Sequence, residues 1–168
     1  MIEKEIEIKV LGYSLDEFKN MIEDLGAKFQ GVEEQSNYRF ETPNVNEDSY
    51  LRLRVTDKYS EFTFKKRLGS VGARTNSELT TRIDDPEVFL QIMDEIGMSY
   101  SLQKKTRYKY LLDEFVFDID LWDKAVYPYP YLEIEGPSKE DLDKILARLN
   151  IPKENISTKS IGELINDL

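Results

Sequence analysis

The 168-residue chain has no cysteine and no histidine. Disulfides, thiolate nucleophiles and cysteine metal sites are excluded, and no imidazole exists to act as acid, base or ligand. Long apolar runs are missing too: nowhere do about 18 apolar residues follow one another. The N-terminus also lacks a basic segment leading into an apolar one, so neither export nor membrane spanning is expected and a cytoplasmic setting is the default. A cationic surplus is absent, since 33 acidic against 23 basic side chains leave a formal charge of −10. That balance speaks against general nucleic-acid binding, and any polyanion must find a local cluster of bases. No Pro/Gly/Ser-rich linker divides the chain, and its length suits one domain, 1–168, with one sizeable core. Carboxylates, lysines, arginines, tyrosines and water remain for chemistry.

What the chain does have is alternation. In Glu5-Ile6-Glu7-Ile8-Lys9 three charged side chains share one face of a predicted strand and two isoleucines share the other. Strands are predicted near 2–11, 34–41, 49–57, 60–68, 77–83, 104–112, 114–121 and 131–136. Short turns such as Thr56-Asp57-Lys58 and Leu112-Asp113-Glu114 favour antiparallel hairpins. Ser14 with Glu17 forms a capping-box signature for a helix striped by Phe18, Met21, Ile22 and Leu25 and stopped by Gly26. Asp85 and Pro86 start a second helix, whose stripe Phe89, Ile92, Met93 and Ile96 is expected to be buried. Ser138 caps a third, with Leu142, Ile145, Leu146 and Leu149 as its apolar side, and a short last helix carries Ile161, Leu164, Ile165 and Leu168. All are expected to pack outside the sheet, which gives an α+β fold: a closed eight-stranded antiparallel barrel, or tunnel, with exterior helices. The Gly69–Asn76 stretch lacks a Gly-x-x-x-x-Gly-Lys-Ser/Thr pattern and reads as a mobile connector. Tyr127-Pro128-Tyr129-Pro130-Tyr131 reads as a stiff, extended approach to the last strand.

Taken literally, alternation gathers Glu5, Glu7, Lys9, Arg52, Arg54, Lys65, Arg67, Glu78, Lys105, Arg107, Asp118, Asp120, Glu133 and Glu135 on one face. A sheet with one wet face gives alternation by itself. The sorting goes further, because bases pair on three strands and acids on three others, an arrangement that repels itself unless a ligand of opposite sign is bound. Carboxylates that hold a hard divalent cation, next to bases that neutralise phosphate, fit a metal-bound polyphosphate. Residues i and i+2 lie roughly 6.6 Å apart along a strand, so Glu5 and Glu7 can flank an ion while Lys9 reaches a neighbouring phosphate. Unpaired ions in a dry interior cost several kcal/mol each, so the channel must be wet, and an eight-stranded barrel leaves room for one small ligand.

The opening Glu-x-Glu-x-Lys run resembles the signature of the CYTH superfamily, the triphosphate tunnel metalloenzymes. Gln35 to Pro43, Leu51-Arg52-Leu53-Arg54, Phe64-Lys65-Lys66-Arg67, Lys105-Thr106-Arg107, the strand through Asp118 and Asp120, and Leu132-Glu133-Ile134-Glu135-Gly136 resemble its later blocks in the same order. The resemblance implies a triphosphate (ATP, thiamine triphosphate or tripolyphosphate) gripped by Lys9, Arg52, Arg54, Lys65, Arg67, Lys105 and Arg107. It implies Mg²⁺ or Mn²⁺ held by Glu5, Glu7, Glu133 and Glu135, with Glu78 and Asp120 as further candidates and Asp118 as the alternative to Asp120. Glu5, Glu7 and Lys9 are the catalytic candidates. Where the family often has Arg-x-Glu-x-Glu, the run from Arg74 to Glu78 keeps one acid, which leaves the place of Arg74 and a second metal site open. Triphosphate hydrolysis is the leading expectation. Cyclisation of ATP by a class IV adenylate cyclase is the alternative, and a non-catalytic nucleotide or polyphosphate binder the third.

Overall fold

A computed structural model describes residues 2–41 and 49–168. Thr42 and Pro43, the end of one family-like block, lie outside the described residues. Eight long strands form the ring: β1 (Ile2–Val10), β2 (Lys28–Phe40), β3 (Ser49–Val55), β4 (Ser60–Gly69), β5 (Arg74–Arg82), β6 (Tyr100–Leu112), β7 (Phe115–Trp122) and β8 (Tyr131–Glu135). They pair antiparallel in the order β5-β4-β3-β2-β6-β7-β8-β1, and β1 returns to β5 to close the ring. A two-residue strand β9 (Ile156–Ser157) adds to the end of β1. Closure answers the edge problem that an open sheet of this length would face.

The helices are α1 (Leu15–Asp24), α2 (Pro86–Glu95), α3 (Lys139–Arg148) and α4 (Ile161–Asn166), each started by the local chemistry its sequence supplies. Ser14 and Ser160 make capping boxes with Glu17 and Glu163, and Asp85 and Ser138 accept from the third residue onward. Inside β2 a bulge falls between Phe29 and Gly31, whose φ of +136° is open to glycine and strained for other residues.

The apolar core lies outside the ring. Phe18 and Ile22 of α1 and Leu142, Ile145 and Leu146 of α3 pack on the outward rows of β1, β7 and β8: Ile8, Val10, Phe117, Ile119, Leu132 and Ile134. Each such side chain contributes about 1.5–3 kcal/mol on burial. With the apolar side satisfied by helices, the charged row has no choice but to face inward.

Two expectations need correction. The α2 stripe is not buried: Ile92 and Ile96 are 52% and 65% exposed, Phe89 and Met93 are half-buried, and the helix meets the ring through Phe89, packed against Phe62 at 4.9 Å and edge-on to Phe40 at 6.2 Å. The aromatic corner of Phe40, Phe62 and Phe89 is the contact that holds the helix to the ring. The Gly69–Asn76 connector is also shorter than expected, because β5 already begins at Arg74, where pairing with Glu7 of β1 draws the chain into the ring. Among the described residues no helix is long and apolar enough to cross a membrane.

Candidate functional site

The ring encloses a cavity of about 890 Å³. Its strands are staggered so that side chains at equal height lie two residues away from their paired Cα positions, which sorts the inward row into tiers. Tier mates touch, as where the Arg39 guanidinium lies 4.8 Å over the Tyr50 ring, Asn76 Nδ2 donates to Glu7 at 3.2 Å and Arg107 Nη1 donates to Asp118 at 2.6 Å, while pairs such as Lys9–Glu133 and Lys65–Glu78, each at 2.7 Å, link adjacent tiers.

The first tier holds Lys9, Arg39, Tyr50, Arg67, Arg74, Gln103, Trp122 and Tyr131: four cations and no carboxylate. Glu7, Asn37, Arg52, Lys65, Asn76, Lys105, Asp120 and Glu133 make the second, where acids and bases balance. Below them Glu5, Gln35, Arg54, Thr63, Glu78, Arg107, Asp118 and Glu135 form an acid-rich third tier. Glu3, Glu33, Glu61, Thr80 and Lys109 follow at the far mouth. Charge therefore grades along the axis from positive to negative, a property that no single strand displays.

Thirteen of the fourteen charged residues picked out by alternation line the cavity. Asp120 does not. It is fully buried on the inner face beneath Lys105, Arg107 and Tyr131, where its carboxylate accepts from Lys105 Nζ at 2.6 Å, from Arg107 Nε and Nη2 at 2.7 Å each, and from the Tyr131 hydroxyl at 3.2 Å. Burial works against its ionisation, yet Arg107 and Lys105 hold it at about 2. Asp118, its neighbour on β7, reaches the cavity, and burial raises its pKa in spite of Arg107.

Sequence reasoning missed Asn37, Arg39, Tyr50 and Asn76 and left Arg74 open, although extending the period-two count by one step reaches Tyr50 from Arg52 and by one and two steps Asn76 and Arg74 from Glu78, and the same count along β2 pairs Asn37 with Arg39. Asn76 is wholly buried, ties to Glu7 and accepts from Arg74 Nε at 3.2 Å. Glu163 carried no such signal, because it comes from a helix. Correcting the exterior placement expected for α4, its residues Ser160, Ile161, Gly162, Glu163 and Asn166 border the cavity at the first-tier mouth, while Leu164 is buried with Tyr127 and Tyr131.

The carboxylates are held by ammonium groups. Lys65 Nζ stands 2.5 Å from Glu5, 2.7 Å from Glu78 and 4.0 Å from Glu7; Lys9 Nζ stands 2.7 Å from Glu133 and 3.9 Å from Glu7. Among the described residues no three acids converge closely enough to ligate an ion as they stand. Burial pushes the Glu5 carboxyl up to about 7; Lys65 opposes the rise, and Glu78 and Glu7 add to it. Glu135 is raised by burial and by Glu7 and Glu133 beside it. Burial opposes the charge on Glu133 as well, but Lys9, Arg107 and Lys105 hold it well below the usual carboxylate range. On the basic side, burial, Arg52 and Arg107 lower Arg54, and Arg52 Nε and Asn37 Nδ2 are buried donors without a hydrogen-bond partner among the described residues.

Burial and Arg107 bring the Lys105 ammonium down to about 7, with Asp120 opposing. Its charge is complete below that value and lost above it, so anion affinity should fall as pH rises from about 6 to about 8. Titrating the metal-free protein with tripolyphosphate tests this against Lys105→Arg, which stays charged; the fall should be steeper in the wild type, and equal slopes would reject the assignment.

The chain matches the CYTH domain family over residues 3–161. It belongs to that family. Among solved structures, the CYTH chain is similar to the PH1012 protein of Pyrococcus horikoshii OT3, with 32% identity, a TM-score of 0.81, and 96% and 99% of the two chains covered. An adenylate cyclase candidate from Vibrio parahaemolyticus aligns at 18% identity and TM-score 0.77, covering 99% of each chain. The adenylyl cyclase candidate HpAC1 from Hippeastrum, described as having a dominant triphosphatase activity, aligns at 20% identity and TM-score 0.68 over 97% and 95%. No curated protein matches. The last two likenesses concern the fold, and the closed ring of this CYTH chain agrees with them.

Proposed function

We propose that this CYTH protein is a metal-dependent hydrolase of small triphosphates working inside the tunnel. The observation that carries the reading is the pair of partnerless buried donors, Arg52 Nε and Asn37 Nδ2, beside Arg54 and facing a cavity whose opposite wall is acidic. Leaving such donors unsatisfied costs about 1–3 kcal/mol each, a cost that a phosphate oxygen removes. Family membership supports the same substrate class.

The donor set also fits a divalent cation. Glu5, Glu7, Glu133 and Glu135 offer only hard carboxylate oxygens, and Glu5 and Glu135 are raised first by burial and then by neighbouring carboxylates, Glu7 beside both, a penalty that a positive ion relieves. When bound, Mg²⁺ or Mn²⁺ would neutralise phosphate charge at these residues. Arg52, Arg54, Lys65, Lys105 and Arg107 hold the chain's oxygens, with Asp120 and Asp118 fixing the last two in place; we assign Asp120 to this positioning role and not to the metal. Lys9 offsets charge between Glu133 and Glu7. Glu5, titrating near neutrality in the third tier, is placed to accept the proton of a water that attacks the end phosphorus of a tripolyphosphate lying at that tier, as the P–O bond to the departing pyrophosphate breaks. Stabilising charge by fixed bases is most of what phosphoryl transfer asks of a protein, so the missing histidine is no obstacle. The reading includes a cytoplasmic setting.

Assays of tripolyphosphate, thiamine triphosphate and ATP with Mg²⁺ or Mn²⁺ test it. Orthophosphate release is expected. Pyrophosphate with cyclic AMP from ATP would replace hydrolysis by cyclisation, and saturable binding without turnover would leave a binder. Arg52→Ala should weaken tripolyphosphate affinity by about 10²-fold, read by calorimetry.

A further inference from the structure

The first tier carries four cations, and the group placed against one of them comes from α4, not from a strand. Glu163 accepts from Arg67 through both oxygens, at 3.2 and 2.5 Å, in the two-pronged way a phosphate does. The same carboxylate accepts from the Ser160 backbone N–H at 2.6 Å, which ties it to the helix start. Leu164 anchors the helix among Tyr127 and Tyr131, and a Cβ on Gly162 would come within 3.8 Å of Arg39 Nη1, so α4 lies directly against the tier. Among the described residues, no other helix contributes to the cavity lining. The bulky end of an organic triphosphate must therefore leave through the opposite mouth, past Glu3, Glu61 and Lys109, with its phosphate chain pointing toward α4.

We infer that Glu163 sets the length of phosphate chain the tunnel accepts, by occupying on Arg67 the place that a fourth phosphate group would take. The inference rests on the triphosphate reading above. Three phosphates fill the bases of the second and third tiers; a fourth enters the first tier and has to displace a carboxylate already bound there. Arg67 is drawn away from the triphosphate grip expected for it and becomes the end stop. Hydrogen bonds from Arg67 and from Ser160 keep Glu163 ionised at about 2, so the stop stays charged at any ordinary pH.

Titration of the full-length protein with linear tripolyphosphate and tetrapolyphosphate, each without metal, tests the inference. Glu163→Gln removes the charge but keeps an acceptor for the helix cap. It should raise tetrapolyphosphate affinity about tenfold while tripolyphosphate changes by less than about twofold. An equal gain for both ligands, or none for either, overturns the length stop while leaving triphosphate binding intact. A gain confined to Glu163→Ala, which also breaks the cap, assigns the effect to a loosened helix and overturns it as well. Failure of the wild type to bind tripolyphosphate would sink the proposed function itself.

Discussion

Replacing Glu7 by glutamine is expected to cut metal-dependent phosphate release from tripolyphosphate by about 10²–10³-fold while leaving the protein folded. Glu7 is 5% exposed and stands at the centre of the charge map, with Arg74 Nε at 3.7 Å, Lys9 at 3.9 Å and Lys65 at 4.0 Å. Glutamine keeps the shape and the oxygen that accepts from Asn76, so the local hydrogen bond survives. What disappears is the negative charge on which cation binding depends. Tripolyphosphate affinity without metal should hold or rise, because three cations then face one fewer acid. Undiminished turnover at saturating Mn²⁺ would remove Glu7 from the metal group.

The second large effect is on stability. Asp120→Ala should destabilise the fold by about 3–5 kcal/mol, because it strips Lys105 and Arg107 of a shared, fully buried counter-charge. Denaturant titration should show a lower midpoint at unchanged slope. Asp118→Ala, whose loss leaves Arg107 still doubly bonded to Asp120, should cost less than half as much. The pH dependence follows from the depressed carboxyl. Asp120 titrates at about 2 in the folded chain against an ordinary 3.8, so its stabilisation is complete above about pH 4 and is lost as pH falls through about 2. Equal losses from the two aspartates would show that Asp120 is no special anchor.

Alternation made the strands legible, and with them the inward row. Glu5, Glu7 and Lys9, or Arg52 and Arg54, could be assigned to one face without coordinates, because the period of two is a local property of extended chain. Helix starts at Ser14, Asp85 and Ser138 were equally local. The α2 stripe was misread because burial depends on what lies opposite, and the helical spacing of Ile92 and Ile96 carries no record that the helix touches the ring only through Phe89. Arg74 and Asn76 were lost in a connector because two nearby glycines look the same whether they end a strand or turn a hairpin.

The sequence by itself determined the charged face, the strand count and the family, since each is written in residue types at fixed spacing along one strand at a time. Only the tertiary structure decided that Asp120 is sealed beneath Lys105 and Arg107 while Asp118 reaches the cavity, that the cations collect at one end, and that α4 borders that end. Those features depend on the stagger between strands and on where a distant helix comes to rest. Both are set by closure of the ring and packing of its outer face, which couple residues more than a hundred positions apart, such as Lys9 and Glu133 across β1 and β8.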